Sequence, residues 1–269
     1  MRSGTILLSF IAAVTIGSFG VAQDTPGQTN LTAQLLANLR SSDAHTRVGA
    51  VEQIRSNSTM LQNPKIQSAL LDLLVLETRE GKAQIREGER RRAEHRDDEN
   101  PESSDGNAMY MDDLLGVIES FVNWHDPHQI CLLANEGAAL DAPDARESAT
   151  RAQVALPCLQ KLSKSDLFMD RLNAVRTSVA LLAGAKSSLD STTAEAIKQT
   201  VVLALHDNRV EVQWEAVDSL ERDGTSEMIP ALKGLAESSL GPNATEDEIA
   251  VRKNAAKAVI AIRQRNTRD

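Results

Sequence analysis

The sequence has few aromatic residues and fewer positive than negative charges. Its 269 residues include 4 Phe, 2 Trp and 1 Tyr, and 29 Lys and Arg stand against 38 Asp and Glu, for a formal net charge of -9. A nucleic-acid partner is not expected, because binding phosphates needs a basic face and binding single strands needs aromatic stacking platforms. The hydrophobic 41% comes mainly from Ala, Leu, Val and Ile, which is typical of helical proteins.

Long uncharged apolar runs are also missing, except at the N-terminus. The run at residues 6–17 follows Arg2 and is succeeded by small residues ending at Ala22. This order predicts a signal peptide over residues 1–22, cleaved after Ala22. An uncleaved anchor is the alternative, although the run is shorter than the ~20 residues that a membrane span needs. We expect a periplasmic or secreted protein with no membrane span after cleavage.

Cysteine is scarce, with only Cys131 and Cys158 in the chain. In an oxidising compartment the two could pair, closing a loop of about 27 residues and stabilising the fold by roughly 3.5 kcal/mol. Each could instead be a small buried apolar residue within its own helix. Neither is predicted to be a nucleophile, because both fall within apolar helical patterns rather than at an exposed helix start.

Apolar residues recur at helical spacing over residues 31–265, between a polar linker at 23–30 and a tail at 266–269. An alternating strand pattern is absent from this region, so an all-α fold is predicted. Helix starts are indicated by a cap and proline at 63–64 and by capping boxes at 192–195 and 245–248. Helix ends are indicated by Gly184, Gly224 and Gly241.

A highly charged segment interrupts the apolar pattern at residues 77–107. Its first half is rich in good helix formers and is predicted to extend the helix that begins at Pro64. Residues 100–107 are expected to form a mobile loop. The extension is interpreted either as a solvated helix of mixed charge or as an arm that docks onto a partner.

Self-similarity appears at a spacing of 39 residues. Residues 251–259 align with residues 212–220, and both begin with Val and carry small residues before a large aliphatic. Residues 46–54 follow the same scheme. A second recurring element, which contains a proline, is found at 126–133, 155–159 and 225–232. This pattern is typical of stacked helix pairs.

At these residues the chain resembles the HEAT repeat family, and specifically the short HEAT-like repeats of bilin lyases and many bacterial proteins. Residues 251–259 match the first half of the family pattern, and Gln213 stands where the family prefers Arg. The resemblance implies a right-handed α-solenoid of about five or six antiparallel helix pairs over residues 31–265. It also implies that the second helix of each pair lines a concave face, which makes Trp214, Gln213 and Arg252 candidate partner-binding residues.

No catalytic constellation is found in the sequence. Lipase-type serine, zinc-protease and phosphate-loop motifs do not occur. His125 and His128 flank Asp126 at a spacing that could hold a metal. Asp126 is better interpreted as a helix cap and Pro127 as the first helical residue, so neither a metal nor a cofactor is expected.

These observations predict an exported, non-enzymatic scaffold or adaptor that binds a protein partner. Trp214 is the strongest candidate, since Trp is enriched at binding hot spots, although it could instead be partly buried between helix pairs. One alternative is a bilin-lyase-like enzyme or small-molecule-handling protein whose site the sequence does not locate. Another is a structural module that only spaces other components of a complex.

Overall fold

The computed structural model describes residues 26–93, 105–140, 142–242 and 244–267. Within these ranges all regular secondary structure is helical and no strand is present, which confirms the all-α prediction. The predicted signal peptide with its cleavage after Ala22 lies outside the described residues, as do residues 100–104 of the predicted loop.

Eleven α-helices and three short 3-10 helices follow one another along the described ranges. The α-helices are α1 (Pro26–Leu39), α2 (Ala44–Arg55), α3 (Pro64–Ala93), α4 (Asp105–Glu119), α5 (Pro127–Asn135), α6 (Ala145–Leu162), α7 (Phe168–Ala185), α8 (Ser191–Leu205), α9 (Val210–Asp223), α10 (Ile229–Glu237) and α11 (Glu246–Asn266). The 3-10 helices are Met60–Gln62, Lys186–Ser188 and Ser226–Met228.

Several helix starts follow the predicted caps. Helix α3 begins at Pro64, and the Asn63 side chain accepts a hydrogen bond of 3.0 Å from the Lys65 amide. Helix α11 begins after a complete capping box between Thr245 and Glu248. These side chains satisfy amide groups that have no partner in the first turn of a helix.

The capping box predicted at Thr192 and Glu195 is wrong. The cap of α8 is Asp190, whose carboxylate accepts a hydrogen bond of 2.9 Å from the Thr193 amide. Asp and Thr are both favoured caps, and the helix begins at the earlier of the two.

Other predicted boundaries also shift. Residues 26–30, predicted as linker, belong to α1, and residues 105–107, predicted as loop, belong to α4. Helix α7 ends at Ala185, one residue after Gly184, where a Cβ atom would lie 2.9 Å from the Ser148 hydroxyl of α6. Gly184 therefore lies at the predicted helix end and also allows α6 and α7 to approach closely. Helix α10 ends at Glu237, before Gly241.

The C-terminal half of the molecule, α6 to α11, has a regular packing order. Helix α7 packs on α9 and α9 on α11, while α6 packs on α8 and α8 on α10. Arg176 of α7 donates two hydrogen bonds, of 3.0 and 2.8 Å, to Glu215 of α9, 39 residues away. The Thr177 hydroxyl donates to the Ala138 carbonyl, also 39 residues away. The 39-residue spacing found in the sequence therefore recurs in two hydrogen-bonded contacts of α7, one with α9 and one with the segment after α5.

The N-terminal half, α1 to α5, is less regular. Helix α1 packs on α2 and α3, α2 packs on α4, and α3 packs on α5. A disulfide joins Cys131 of α5 to Cys158 of α6, at the boundary between the two halves. One continuous cluster of buried apolar side chains extends from Leu35 in α1 to Ile262 in α11, so both halves share a core.

Candidate functional site

Trp214 lies on the solvent-facing side of α9. Its side chain is 40% exposed, whereas Val212, Ala216 and Leu220 on the opposite side of the helix are fully buried. The neighbouring exposed residues of this helix are charged, and they are Glu211, Asp218 and Arg222. An exposed indole among charged groups is available for contact with a partner.

Gln213 and Arg252, the other two candidates, have structural contacts of their own. The Gln213 amide donates a hydrogen bond of 2.7 Å to the Asp207 carbonyl in the turn before α9. The Arg252 guanidinium donates to the Glu248 carbonyl at 2.8 Å and to the Ser238 hydroxyl at 3.1 Å, after the end of α10. Both side chains therefore hold turns between helices in place.

The contact made by Gln213 is one example of a recurring device. A side chain in the first turn of a helix reaches back six residues and donates to a carbonyl of the preceding turn. The bonds are Arg47 to Ser41, Gln67 to Leu61, Arg171 to Ser165 and Gln213 to Asp207. This explains physically why a long side chain with N–H donors lies in the first turn of these four helices.

The region from Trp124 to His128 also has a structural role. Arg151 lies over the Trp124 ring, 3.7 Å from its centre, and the ring packs against the core. Asp126 caps α5 by accepting from the His128 amide at 2.9 Å, with Pro127 as the first helical residue, as predicted. Among the described residues, no three His, Cys, Asp or Glu side chains are grouped so as to hold a metal.

The charged extension of α3 is attached to the rest of the molecule. Lys82 lies 2.6 Å from the Asp170 carboxylate of α7 and donates to the Asn135 side chain at 3.1 Å. Further along α3, Glu89 forms an ion pair of 2.9 Å with Arg209, at the start of α9. The extension thus crosses from the N-terminal half to the start of α9, and both ends of the crossing are fixed by ion pairs.

A polar cleft of about 240 Å³ opens beside the first part of this extension. It is lined by side chains from α2, α3, α4, α7 and the end of α5, which include Ala44, Arg47, Val48, Glu77, Glu80, Lys82, Ile85, Tyr110, Met111, Asn135, Glu136, Met169 and Asn173. The cleft therefore lies mainly in the irregular half, at its boundary with α7 of the C-terminal half.

One wall of the cleft is formed by a buried ion pair. The Arg47 Nε atom lies 2.7 Å from the Glu77 carboxylate, with the two side chains 6% and 14% exposed. Arg47 also donates to the Ser41 and Ser42 carbonyls and lies 3.6 Å from Glu80. Since its donors are already engaged, Arg47 shapes the cleft but is not free to bind an anion.

Two other polar groups in the cleft have fewer partners than Arg47. The Tyr110 side chain is buried, and its hydroxyl has no hydrogen-bond partner among the described residues. Burial raises the pKa of the Tyr110 phenol, and the nearby Glu77 carboxylate raises it further. Burial also raises the pKa of Glu136, although Thr78 and Lys82 partly oppose this effect. Glu136 has no ion pair within the described part of the chain.

The cleft could not be found from the sequence, because its residues come from five helices and share no spacing. The only local signal is that Tyr110 is the single tyrosine of the chain.

No helix in the described ranges is both long enough and apolar enough to cross a bilayer. No protein-family model matches the chain, and no curated protein matches it by sequence.

Proposed function

We propose that the protein is an exported HEAT-like α-solenoid that acts as a non-enzymatic scaffold or adaptor and binds a protein partner. The solenoid is supported by the 39-residue spacing of the bonds between successive helix pairs, such as Arg176 to Glu215. Stacked repeats of this kind expose long surfaces that suit protein partners.

The single observation that carries partner binding is the exposure of Trp214. The large apolar residues facing the core from α9 are buried, so the fold does not require an indole on the outer side. Exposed Trp side chains contribute large areas to interfaces at little entropic cost. Gln213 and Arg252 would position this surface indirectly, through the turns that they hold.

Export is supported by the disulfide between Cys131 and Cys158, because disulfides persist in oxidising compartments. The test is to express the full chain in a bacterial host and to determine the N-terminus of the protein recovered from the periplasm or medium. A mature N-terminus at Gln23 is expected. Retention of the whole product in the cytoplasm, with residues 1–22 attached, would contradict export.

Partner binding is tested by affinity capture with the tagged chain and two alanine variants. Trp214→Ala removes the exposed indole, and Leu203→Ala is the matched control, because Leu203 is 50% exposed on the neighbouring helix α8. A specific partner should be captured by the unmodified chain and by Leu203→Ala but lost with Trp214→Ala. A partner that Trp214→Ala retains equally would exclude this surface.

The alternative function, a bilin-lyase-like or small-molecule-handling protein, gains support from one observation. The polar cleft beside α3 supplies a location for a small ligand that the sequence does not indicate. It contains no recognisable arrangement of nucleophile and base, so ligand binding is favoured over catalysis.

A further inference from the structure

The polar cleft leads to an inference beyond the binding of a protein partner at Trp214. We propose that this cleft binds an alkylammonium group, that is, a primary amine carried on a short alkyl chain. The amine would donate to the Tyr110 hydroxyl and the Glu136 carboxylate, and its alkyl chain would lie along the apolar lining.

The first argument is the unsatisfied hydroxyl of Tyr110. The residue is 6% exposed and lines the cleft, and its hydroxyl makes no hydrogen bond among the described residues, although Arg47 and Glu77 lie close enough to shift its pKa. A buried polar group without a partner is unfavourable, and such groups in native proteins call for an explanation. An ammonium group in the cleft would supply the missing donor to the phenol oxygen.

The second argument is the charge around the cleft. Its lining carries three carboxylates, Glu77, Glu80 and Glu136, against two bases, Arg47 and Lys82. Arg47 is held by Glu77, and Lys82 is held by Asp170 behind the lining. Glu136 is therefore left without an ion pair, so the unbalanced charge is negative and favours a cation over an anion.

The third argument is the shape and apolar content of the cleft. A volume of about 240 Å³ is below the range of pockets that hold drug-sized ligands, so the ligand is small. The apolar part of the lining would contact methylene groups rather than a fully polar ligand. It consists of Ala44, Val48, Ile85, Met111 and Met169.

An alkylammonium group could come from a free diamine or from a lysine side chain of a partner. The experiment therefore uses two amine probes, 1,5-diaminopentane and lysine blocked at both backbone ends, and 1,5-pentanediol as a neutral probe of the same length. Binding to the full chain is measured by titration calorimetry at pH 7. At least one amine should bind, with the diol at least tenfold weaker.

Two conservative variants locate the binding. Tyr110→Phe removes the hydroxyl and keeps the ring, and Glu136→Gln removes the charge and keeps the shape. Each should weaken amine binding by about tenfold or more, because hydrogen bonds to a charged group are involved. Glu246→Gln, which changes an exposed acid in the first turn of α11, is the control and should bind as the unmodified chain does.

Thermal unfolding without ligand checks that the variants are folded. Tyr110→Phe removes an unpaired hydroxyl, so its unfolding temperature should not fall.

Binding of the diamine alone would identify a free amine, and binding of the blocked lysine would identify a protein side chain. The proposal is overturned if neither amine binds, if the diol binds equally well, or if Tyr110→Phe binds unchanged. None of these outcomes involves the surface around Trp214.

Discussion

Each half of the molecule contains a half-buried carboxylate, and the pKa values of the two carboxylates are shifted in opposite directions. In the C-terminal half, burial raises the pKa of Glu215, but the hydrogen bonds and charge of Arg176, together with Ser219 and Arg222, leave it below its ordinary value. In the N-terminal half, burial raises the pKa of Glu136, and Thr78 and Lys82 offset it only in part. Glu215 joins α9 to α7 by accepting hydrogen bonds from Arg176, whereas Glu136 lines the cleft and has no such partner among the described residues.

This difference shows what a regular repeat does with its polar residues. Where α7, α9 and α11 pack in a regular order, a polar side chain such as Arg176 meets a partner on the next helix and joins the two helices. Where α3 lengthens and the spacing is lost, polar side chains converge on a cavity instead. The irregular half is therefore the better place to look for a small-ligand site.

The largest effect is expected from breaking the buried ion pair of the N-terminal half. Arg47→Ala leaves the Glu77 carboxylate buried without its partner and should lower the free energy of unfolding by about 4 kcal/mol. Arg222→Ala is the control from the other half, because Arg222 is exposed and its ion pairs are on the surface, so a loss of at most about 0.5 kcal/mol is expected. Urea unfolding at pH 7 measures both free energies. Similar losses for the two variants would show that the buried ion pair is no more important for stability than the surface pairs.

The next effect concerns the disulfide that connects the two halves. Replacing Cys131 and Cys158 by Ala opens a loop of 27 residues and should lower the free energy of unfolding by roughly 3.5 kcal/mol. The unmodified chain should lose a similar amount in reductant, whereas the double variant should be insensitive to it. Equal stability of the oxidised and reduced chains would show that the bond does not constrain the unfolded state.

A smaller effect tests the cap of the last helix. Thr245→Ala removes the capping box of α11 and should cost about 1 kcal/mol. Thr192→Ala changes a residue that the sequence wrongly predicted as a cap, and it should change stability by less than about 0.5 kcal/mol. Urea unfolding compares the two variants. An equal loss in the free energy of unfolding for Thr192→Ala would show that the capping box predicted at α8 does form.

The smallest effect is a difference in pH dependence between Glu136 and Glu215. A raised folded pKa means that ionised Glu136 opposes folding, so its contribution becomes less favourable as pH rises from the ordinary range of Glu through the folded value. A lowered folded pKa means that Glu215 stabilises above its ordinary range and loses this contribution as pH falls. At pH 7 Glu136→Gln should be neutral or stabilising, and Glu215→Gln destabilising. Unfolding curves from pH 4 to 8 that show the same sign for both variants would contradict the comparison.

Local patterns in the sequence were sufficient to predict the helical class and many helix starts. Asn63 with Pro64, Asp126 with Pro127 and Thr245 with Glu248 act through neighbours within three residues, so their roles can be identified without a structure. The charged segment after residue 77 was likewise predicted to extend α3, and the helix does continue to Ala93.

Features that depend on distant contacts were not predictable. Pro157 resembled the proline at the start of α10 but lies inside α6, because a local motif does not show where the preceding residues begin their helix. Arg265 near the end of α11 donates to the Glu221 and Gly224 carbonyls at the C-terminus of α9, 44 and 41 residues earlier. The cleft residues Arg47, Tyr110 and Glu136 come together only through packing.

The most direct test of the division between the two halves is hydrogen exchange along the full chain, with and without the amine probes. Binding in the cleft should slow exchange in α3, in α4 and at residues 135–138, while α9 and α11 remain unchanged. Protection confined to α9 and α11, or no protection anywhere at saturating amine, would contradict the assignment of the ligand site to the irregular half.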